Sequence, residues 1–433
     1  MGPVVYWVEL HKGTKSAMEI MAENIYLFGA GVNKVIEDWH GITPPLANDV
    51  FQVAAKLHRL FDPDNYQPVY DYIQQIWHYD KSYLAGNPFN LEECFTLLYS
   101  QFNEAISRGD EPRVSQLATL RLRFSSFLAE LLSHFTTFAT SSAMMALGDI
   151  LYSEKPTIIT FNYDTFLESA IESASHLNAT TAGMRHPSEG NDSFEPTSDE
   201  LVYSHFNWNR PLGYFIKFDE VQLHRAGITT MVPGSKFYAE PANQLYHWPI
   251  LKLHGSLNWF HYLPVRRIPA LLEGMENALP EGKLDAKILI DGHWWRGDPP
   301  TLGDWYIEPI IIPPVLYKDD YKSESGRSSG LNSNELAPQW ERAKEALSDC
   351  KSLTIVGYSF PPTDFATKKL FLEAFADHQV EELTIVNPNG NVVETIKGLC
   401  HFPEPIVCGN LPTFLRLKGK SPIRAHNGKD IWL

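Results

Sequence analysis

Apolar residues in this chain fall into short unbroken runs separated by longer amphipathic stretches. Asn24–Phe28 (NIYLF) is a compact apolar run that ends in Gly29-Ala30-Gly31. Thr157–Phe161 (TIITF), Ile250–His254 (ILKLH), Leu353–Gly357 (LTIVG) and Leu383–Asn387 (LTIVN) are of the same kind. Strands buried on both faces read this way, because neither face meets water. A helix is expected at Leu46–Phe61, and further helices at Thr165–Ser173, Asp364–Ala376 and Val392–Leu399. Strand–helix alternation predicts an α/β fold with a parallel sheet and helices on both sides. From Leu91 to about Leu151 the period becomes helical. Leu117, Leu120, Phe124, Phe127, Leu131, Phe135 and Phe138 recur at three- and four-residue steps, as one apolar face of a packing helix does. The chain therefore reads as a single unit, 1–433, carrying a large helical insertion at 50–150. Ser173–Glu200 and Asp319–Glu335 are polar and read as loops.

Composition narrows the classes. Lys+Arg 36 against Asp+Glu 52 gives a net charge of −16, which repels nucleic acid and makes direct DNA or RNA binding an unfavourable reading. Cys94, Cys350, Cys400 and Cys408 form no CxxC pair, so no zinc ribbon and no metal are expected, and scattered thiols fit a reducing cytoplasm. Met1 to Ile20 lacks an apolar h-region, and no stretch reaches the roughly 18 apolar residues of a membrane span. A cytoplasmic protein without membrane attachment is the expectation.

Polar residues gather at the carboxyl ends of the apolar runs, where an open α/β sheet places its ligands. Gly29-Ala30-Gly31-Val32-Asn33 offers small residues whose backbone can approach a phosphate, or a plain tight turn; Lys34 stands where a third glycine would complete GxGxxG. Asn162 and Asp164 follow the second run, and Asp164 is equally readable as a helix cap. His254 ends the third run before Gly255, at a pocket rim or as a core histidine. Gly357-Tyr358-Ser359 and Asn387-Pro388-Asn389 read either as ribose and adenine contacts or as ordinary turns.

In order, these segments are GAGVN, GITPP, TFNYD, LHGS, GYS and VNPN. The series resembles the sirtuin (silent information regulator) family. It is more similar still to the sirtuin-like domains of bacterial anti-phage NADases, which share FNYD, LHGS, an IIPP-x-x-YK segment and GYSFPPTD. The resemblance implies a Rossmann-like fold that binds NAD⁺ as substrate. It implies that Gly29, Ala30 and Gly31 cradle the pyrophosphate, with Asn33 in place of the family serine. Asn162 would position the nicotinamide ribose or a water, Asp164 would take the nicotinamide amide, and His254 would be the general base. Gly357, Ser359 and Asn387 would lie on the adenosine side.

The departures are also informative. The zinc-binding cysteines and the FGE strand that pairs with an acyl-lysine peptide are absent, with Glu308–Lys318 (EPIIIPPVLYK) in place of the latter. The function implied is NAD⁺ hydrolysis to nicotinamide and ADP-ribose by an NAD-depleting effector of anti-phage defence acting through abortive infection. The alternatives are a protein deacylase or ADP-ribosyltransferase, and a non-catalytic nucleotide sensor. Because Asn162 and His254 are 92 residues apart, 173–249 is read as an insertion that gates the pocket or meets a partner. Aromatic residues in Tyr203–Phe218 and at Trp259–Phe260 are expected to wall the site. Control by a homo-oligomer, or by a partner such as a ring ATPase, is expected because an unrestrained NADase would harm its own cell.

Overall fold

The computed structural model describes residues 23–38, 40–57, 66–181, 212–214, 220–225, 228–233, 248–264, 287–291, 305–311, 333–361, 364–424 and 430–432. Most of the 173–249 insertion, the Tyr203–Phe218 aromatics other than 212–214, and residues 312–332 therefore lie outside the described residues.

Seven parallel strands form the central sheet. They are β1 (Asn24–Phe28), β2 (Thr157–Thr160), β3 (Leu212–Gly213), β4 (Trp248–Lys252), β5 (Ser352–Val356), β6 (Glu382–Val386) and β7 (Ile406–Cys408). Their order is β7-β6-β5-β1-β2-β4-β3. The chain starts in the middle, builds outward through β2, then returns to the other side of β1 with β5. The topological switch thus falls between β1 and β5, and a crevice at the carboxyl ends there is the usual ligand position of a Rossmann-like sheet. The inner strands are apolar because helices cover both faces: all four residues of β2 and the last four of β1 are buried.

Eleven α-helices are named here in chain order. They are α1 (Val50–Lys56), α2 (Gln67–Trp77), α3 (Lys81–Gly86), α4 (Leu91–Arg108), α5 (Glu111–Phe138), α6 (Ser142–Glu154), α7 (Phe166–Thr181), α8 (Ser333–Asp349), α9 (Phe365–Ala374), α10 (Asn391–Leu399) and α11 (Leu411–Leu417). The long helical stretch consists of three helices. Gly109 breaks it in the left-handed conformation (φ +67°), which closes α4 without the penalty a side chain would bring. The apolar face of α5 packs where its spacing puts it, with Phe127 on Phe51 (5.1 Å) and Phe124 on Phe95 (4.9 Å). Gly148 of α6 lets the backbone of α7 approach, since a β-carbon there would stand 2.3 Å from the Ala170 carbonyl oxygen.

The helix expected at Thr165–Ser173 runs on to Thr181, so the polar segment taken as loop from Ser173 begins as helix. Likewise Ser333–Glu335 opens α8. A second sheet, five strands in the order Trp305–Ile311, Gly255–Pro264, Lys287–Asp291, Glu220–Arg225, Ile228–Pro233, has no counterpart in the sequence reading. Among the described residues no helix is long and apolar enough to cross a membrane, and no three His, Cys, Asp or Glu side chains are grouped as a metal site. The four cysteines are free, and burial raises all four thiols, Cys350 to about 12 and Cys400 to about 11.

Candidate active site

Register decides what meets at the carboxyl edge. Ile158 lies beside Ile250, Ile159 beside Leu251 and Thr160 beside Lys252. Carrying that offset two residues past the strand ends sets Asn162 level with His254. The other pairs behave alike: Phe28 lies beside Thr160 and Val356, and Val356 beside Val386. The backbone ladder persists one rung further. Gly29 N–H donates to Val356 O (3.0 Å), Phe161 to Phe28 O (3.0 Å), Leu253 to Thr160 O (2.9 Å) and Gly357 to Val386 O (2.9 Å). Gly29, Phe161, Leu253, Gly357 and Asn387 therefore share one level, with Asn162 and His254 just beyond it on adjacent strands.

Two glycine turns interlock at the switch between β1 and β5. Gly31 N–H donates to Gly357 O at 2.9 Å. A β-carbon on Gly31 would stand 2.7 Å from that same oxygen, and one on Gly357 would stand 2.2 Å from Val32 N. Gly357 also has φ +66°, a conformation that side chains resist. The glycines thus serve chain-to-chain approach. This changes the expected phosphate cradle: the amides of Gly29 and Gly31 already donate to carbonyls, and of the three only that of Ala30 lies outside the interlock. Lys34, the residue in place of the third glycine, ties down the following turn through Pro44 O (2.7 Å) and Asp49 (3.2 Å).

Beside this interlock lies a buried amide–carboxylate cluster. Asn33 Nδ2 donates to Asp164 Oδ2 at 2.6 Å, and the Phe166 N–H donates to Asp164 Oδ1 at 3.2 Å. Asp164 thus anchors the backbone at the start of α7, as its helix-cap reading expects, and also holds the Asn33 amide. Burial pushes its carboxyl up to about 6, against the opposing pull of the Lys252 charge and of its two hydrogen bonds. Asn162 Nδ2 donates to Gly29 O at 3.3 Å. Asn33 Oδ1 and Asn162 Oδ1 are buried acceptors that find no donor among the described residues. Buried polar atoms are normally satisfied, so two acceptors with no donor among the described residues leave room for further donors. Ribose hydroxyls, a carboxamide NH₂ and water are donors of that kind.

His254 is buried and ringed by aromatic side chains, with Phe161 at 5.0 Å, Tyr163 at 6.2 Å and Trp340 at 6.3 Å. Its Nε2 stands 3.8 Å from Asp364 Oδ2. Trp340 of α8 also fixes the backbone before His254, its Nε1 donating to Leu253 O at 3.0 Å. Gly255, with φ +84°, turns the chain immediately after His254, and a β-carbon there would stand 2.1 Å from Ile310 O.

Behind the cluster sits a buried ion pair. Lys252 Nζ lies 2.9 Å from Glu168 Oε1, with both side chains at most 1% exposed, and it also donates to the Asp164 carbonyl. Tyr214 OH donates to the same Glu168 oxygen at 2.9 Å.

The structure thus brings together Asn33, Asn162 and Asp164, and sets His254 level with Asn162. Asn387 is one strand further out; its Nδ2 donates to Tyr358 O (3.0 Å) and its Oδ1 accepts from Asn389 N (2.9 Å), so it braces the turns. Ser359 is exposed beyond Tyr358. Trp259 packs into the interior, edge-on to Tyr214 at 4.8 Å, and among the described residues the aromatic side chains beside His254 are Phe161, Tyr163 and Trp340. Lys252, Glu168, Trp340 and Asp364 were not singled out by sequence. For Asp364 the only signal was its place at the end of GYSFPPTD, ahead of a helix.

No protein-family model and no curated protein matches the chain. Among solved structures it is similar, at 12% identity and a TM-score of 0.33, to a chain described under "Structural Basis for the Mechanism and Regulation of Sir2 Enzymes", the match covering 93% of this chain and 97% of that one.

Proposed function

We propose that this protein binds NAD⁺ across the carboxyl edge of its central sheet and hydrolyses the nicotinamide–ribose bond. One observation carries the reading: the β2–β4 register sets Asn162 and His254 level on adjacent strand ends, beside the open acceptors of the Asn33–Asp164 cluster. The order of the motifs, similar to that of sirtuin-like NADases, supports it.

NAD⁺ supplies a leaving group that departs from a positively charged ring, through a transition state with positive charge on the ribose. The chain's residues then have three tasks. Asn162 Oδ1 holds a ribose hydroxyl or the incoming water. Asn33 Oδ1 and the Asp164 carboxyl offer acceptors to a carboxamide and place partial negative charge near the developing cation. His254 takes the water's proton, inside an aromatic shell that limits stray solvent. Absence of the peptide-pairing strand and of a zinc ribbon in the sequence favours water over an acyl-lysine as nucleophile. We place the protein, by the same motif similarity, among NAD-depleting anti-phage effectors in the cytoplasm, held in check by self-association or by a partner such as a ring ATPase. The 173–249 segment is the proposed contact for that control, and 50–150 the helical insertion.

The test is to incubate the purified chain with NAD⁺, alone and with the product of its neighbouring gene, and to follow nicotinamide and ADP-ribose. Release of both in equal amounts is expected. Release of nicotinamide only with an acetyl-lysine peptide present would instead indicate a deacylase, and binding without turnover under every condition a sensor.

A further inference from the structure

We propose that Asp364 is the positioning residue for His254, so that carboxylate and imidazole accept the substrate's proton as one unit. The inference rests on the NADase reading above and assigns a role to a residue outside that site.

Asp364 is 2% exposed, and its carboxylate is gripped from two sides. Tyr358 OH donates to Oδ2 at 2.6 Å and the Thr367 N–H donates to Oδ1 at 3.2 Å, making Asp364 the N-cap of α9. Position and orientation are therefore set before any proton moves, and the helix N-terminus favours the charged carboxylate. Tyr358 and Thr367 are neutral donors, so neither cancels the charge of the carboxylate they hold. His254 Nε2 lies 3.8 Å from Oδ2. A proton accepted on either ring nitrogen creates a cation within ion-pair range of this anion, and a buried charge is tolerable when so paired.

Among the described residues, the two tyrosines beside the imidazole and the Lys252 ammonium do not compete. Tyr163, after β2, and Tyr358, after β5, are held far above the ordinary phenol range, by burial first and then by nearby negative charge, so both stay neutral. The Lys252 ammonium is engaged with Glu168 and the Asp164 carbonyl. Trp340, from α8, is not titratable.

The step balances with water as the nucleophile. The water oxygen bonds to the ribose anomeric carbon, and the carbon–nitrogen bond breaks with its electron pair going to the departing neutral nicotinamide. The water's proton goes to His254, is held there as an imidazolium beside Asp364, and passes to solvent after product release.

The test uses the full-length chain without ligand. The imidazole resonances are titrated by NMR, with His254 assigned among the 16 histidines by the signal lost in His254→Gln. Asp364→Asn keeps a good helix cap and removes the charge. It is expected to move the His254 midpoint to lower pH, whereas Tyr358→Phe, which removes a neutral donor to the same oxygen, leaves the midpoint in place or moves it to higher pH. An unchanged midpoint in Asp364→Asn, or an equal fall in Tyr358→Phe, overturns the proposal. In turnover, Asp364→Asn is expected to lower kcat on the order of tenfold to a hundredfold with KM little changed, and to move the acid limb of the pH profile to lower pH. A midpoint shift in a chain that never releases nicotinamide supports the pair and removes the NADase reading instead.

Discussion

Alanine at His254 is expected to slow nicotinamide release by about 10²-fold to 10⁴-fold, the usual worth of a positioned proton acceptor. The imidazole is held between Phe161 and Trp340 rather than at the surface, and alanine supplies no proton acceptor in its place. NAD⁺ affinity should change far less, because Asn33, Asn162 and Asp164 remain in place; the loss therefore belongs in kcat. Steady-state kinetics, with a thermal melt to show that the variant is folded, check this. Wild-type turnover in folded His254→Ala would remove His254 from the mechanism.

The second large effect is on stability. Lys252→Met is expected to destabilise the fold by about 3–5 kcal/mol, the range for leaving one member of a buried ion pair without its partner. Lys252 and Glu168 are at most 1% exposed, so water cannot replace the lost ammonium. The double variant Lys252→Met/Glu168→Leu should recover much of that loss, since an apolar pair of similar volume needs no compensating charge. Denaturant midpoints of the three proteins measure it; a double variant no more stable than the single one contradicts the assignment. Lys252 also holds the Asp164 carbonyl, so the single variant should lose activity beyond what partial unfolding explains.

The contrast between these residues shows what local pattern can convey. β1 lies at the residues its apolar run marks, and the other long inner strands fall within two residues of theirs. Such runs are legible because a strand buried on both faces has no polar face to disguise it. Lys252 sits inside one of these runs and reads as a defect, because its partner Glu168 is 84 residues away. Asp364 was hidden for the same reason: its role depends on contact with His254 across the sheet edge. β7 has only three residues and β3 two, too short for any period to register. Start and stop signals failed where polar residues continue a helix, as in α7 beyond Ser173, and the left-handed turn at Gly109 went unread inside the long helical stretch. The GAG motif was correctly seen as a demand for small residues. What it could not reveal was that the demand comes from Gly357 and Tyr358 as well as from any ligand.

The most direct measurement is a crystal structure of the His254→Ala protein with NAD⁺ bound. The account predicts the nicotinamide ribose between Asn162 and position 254, with the carboxamide reaching toward Asn33 and Asp164. NAD⁺ seated away from the carboxyl edge of β1, β2 and β4, or a ribose that touches neither Asn162 nor position 254, would contradict it.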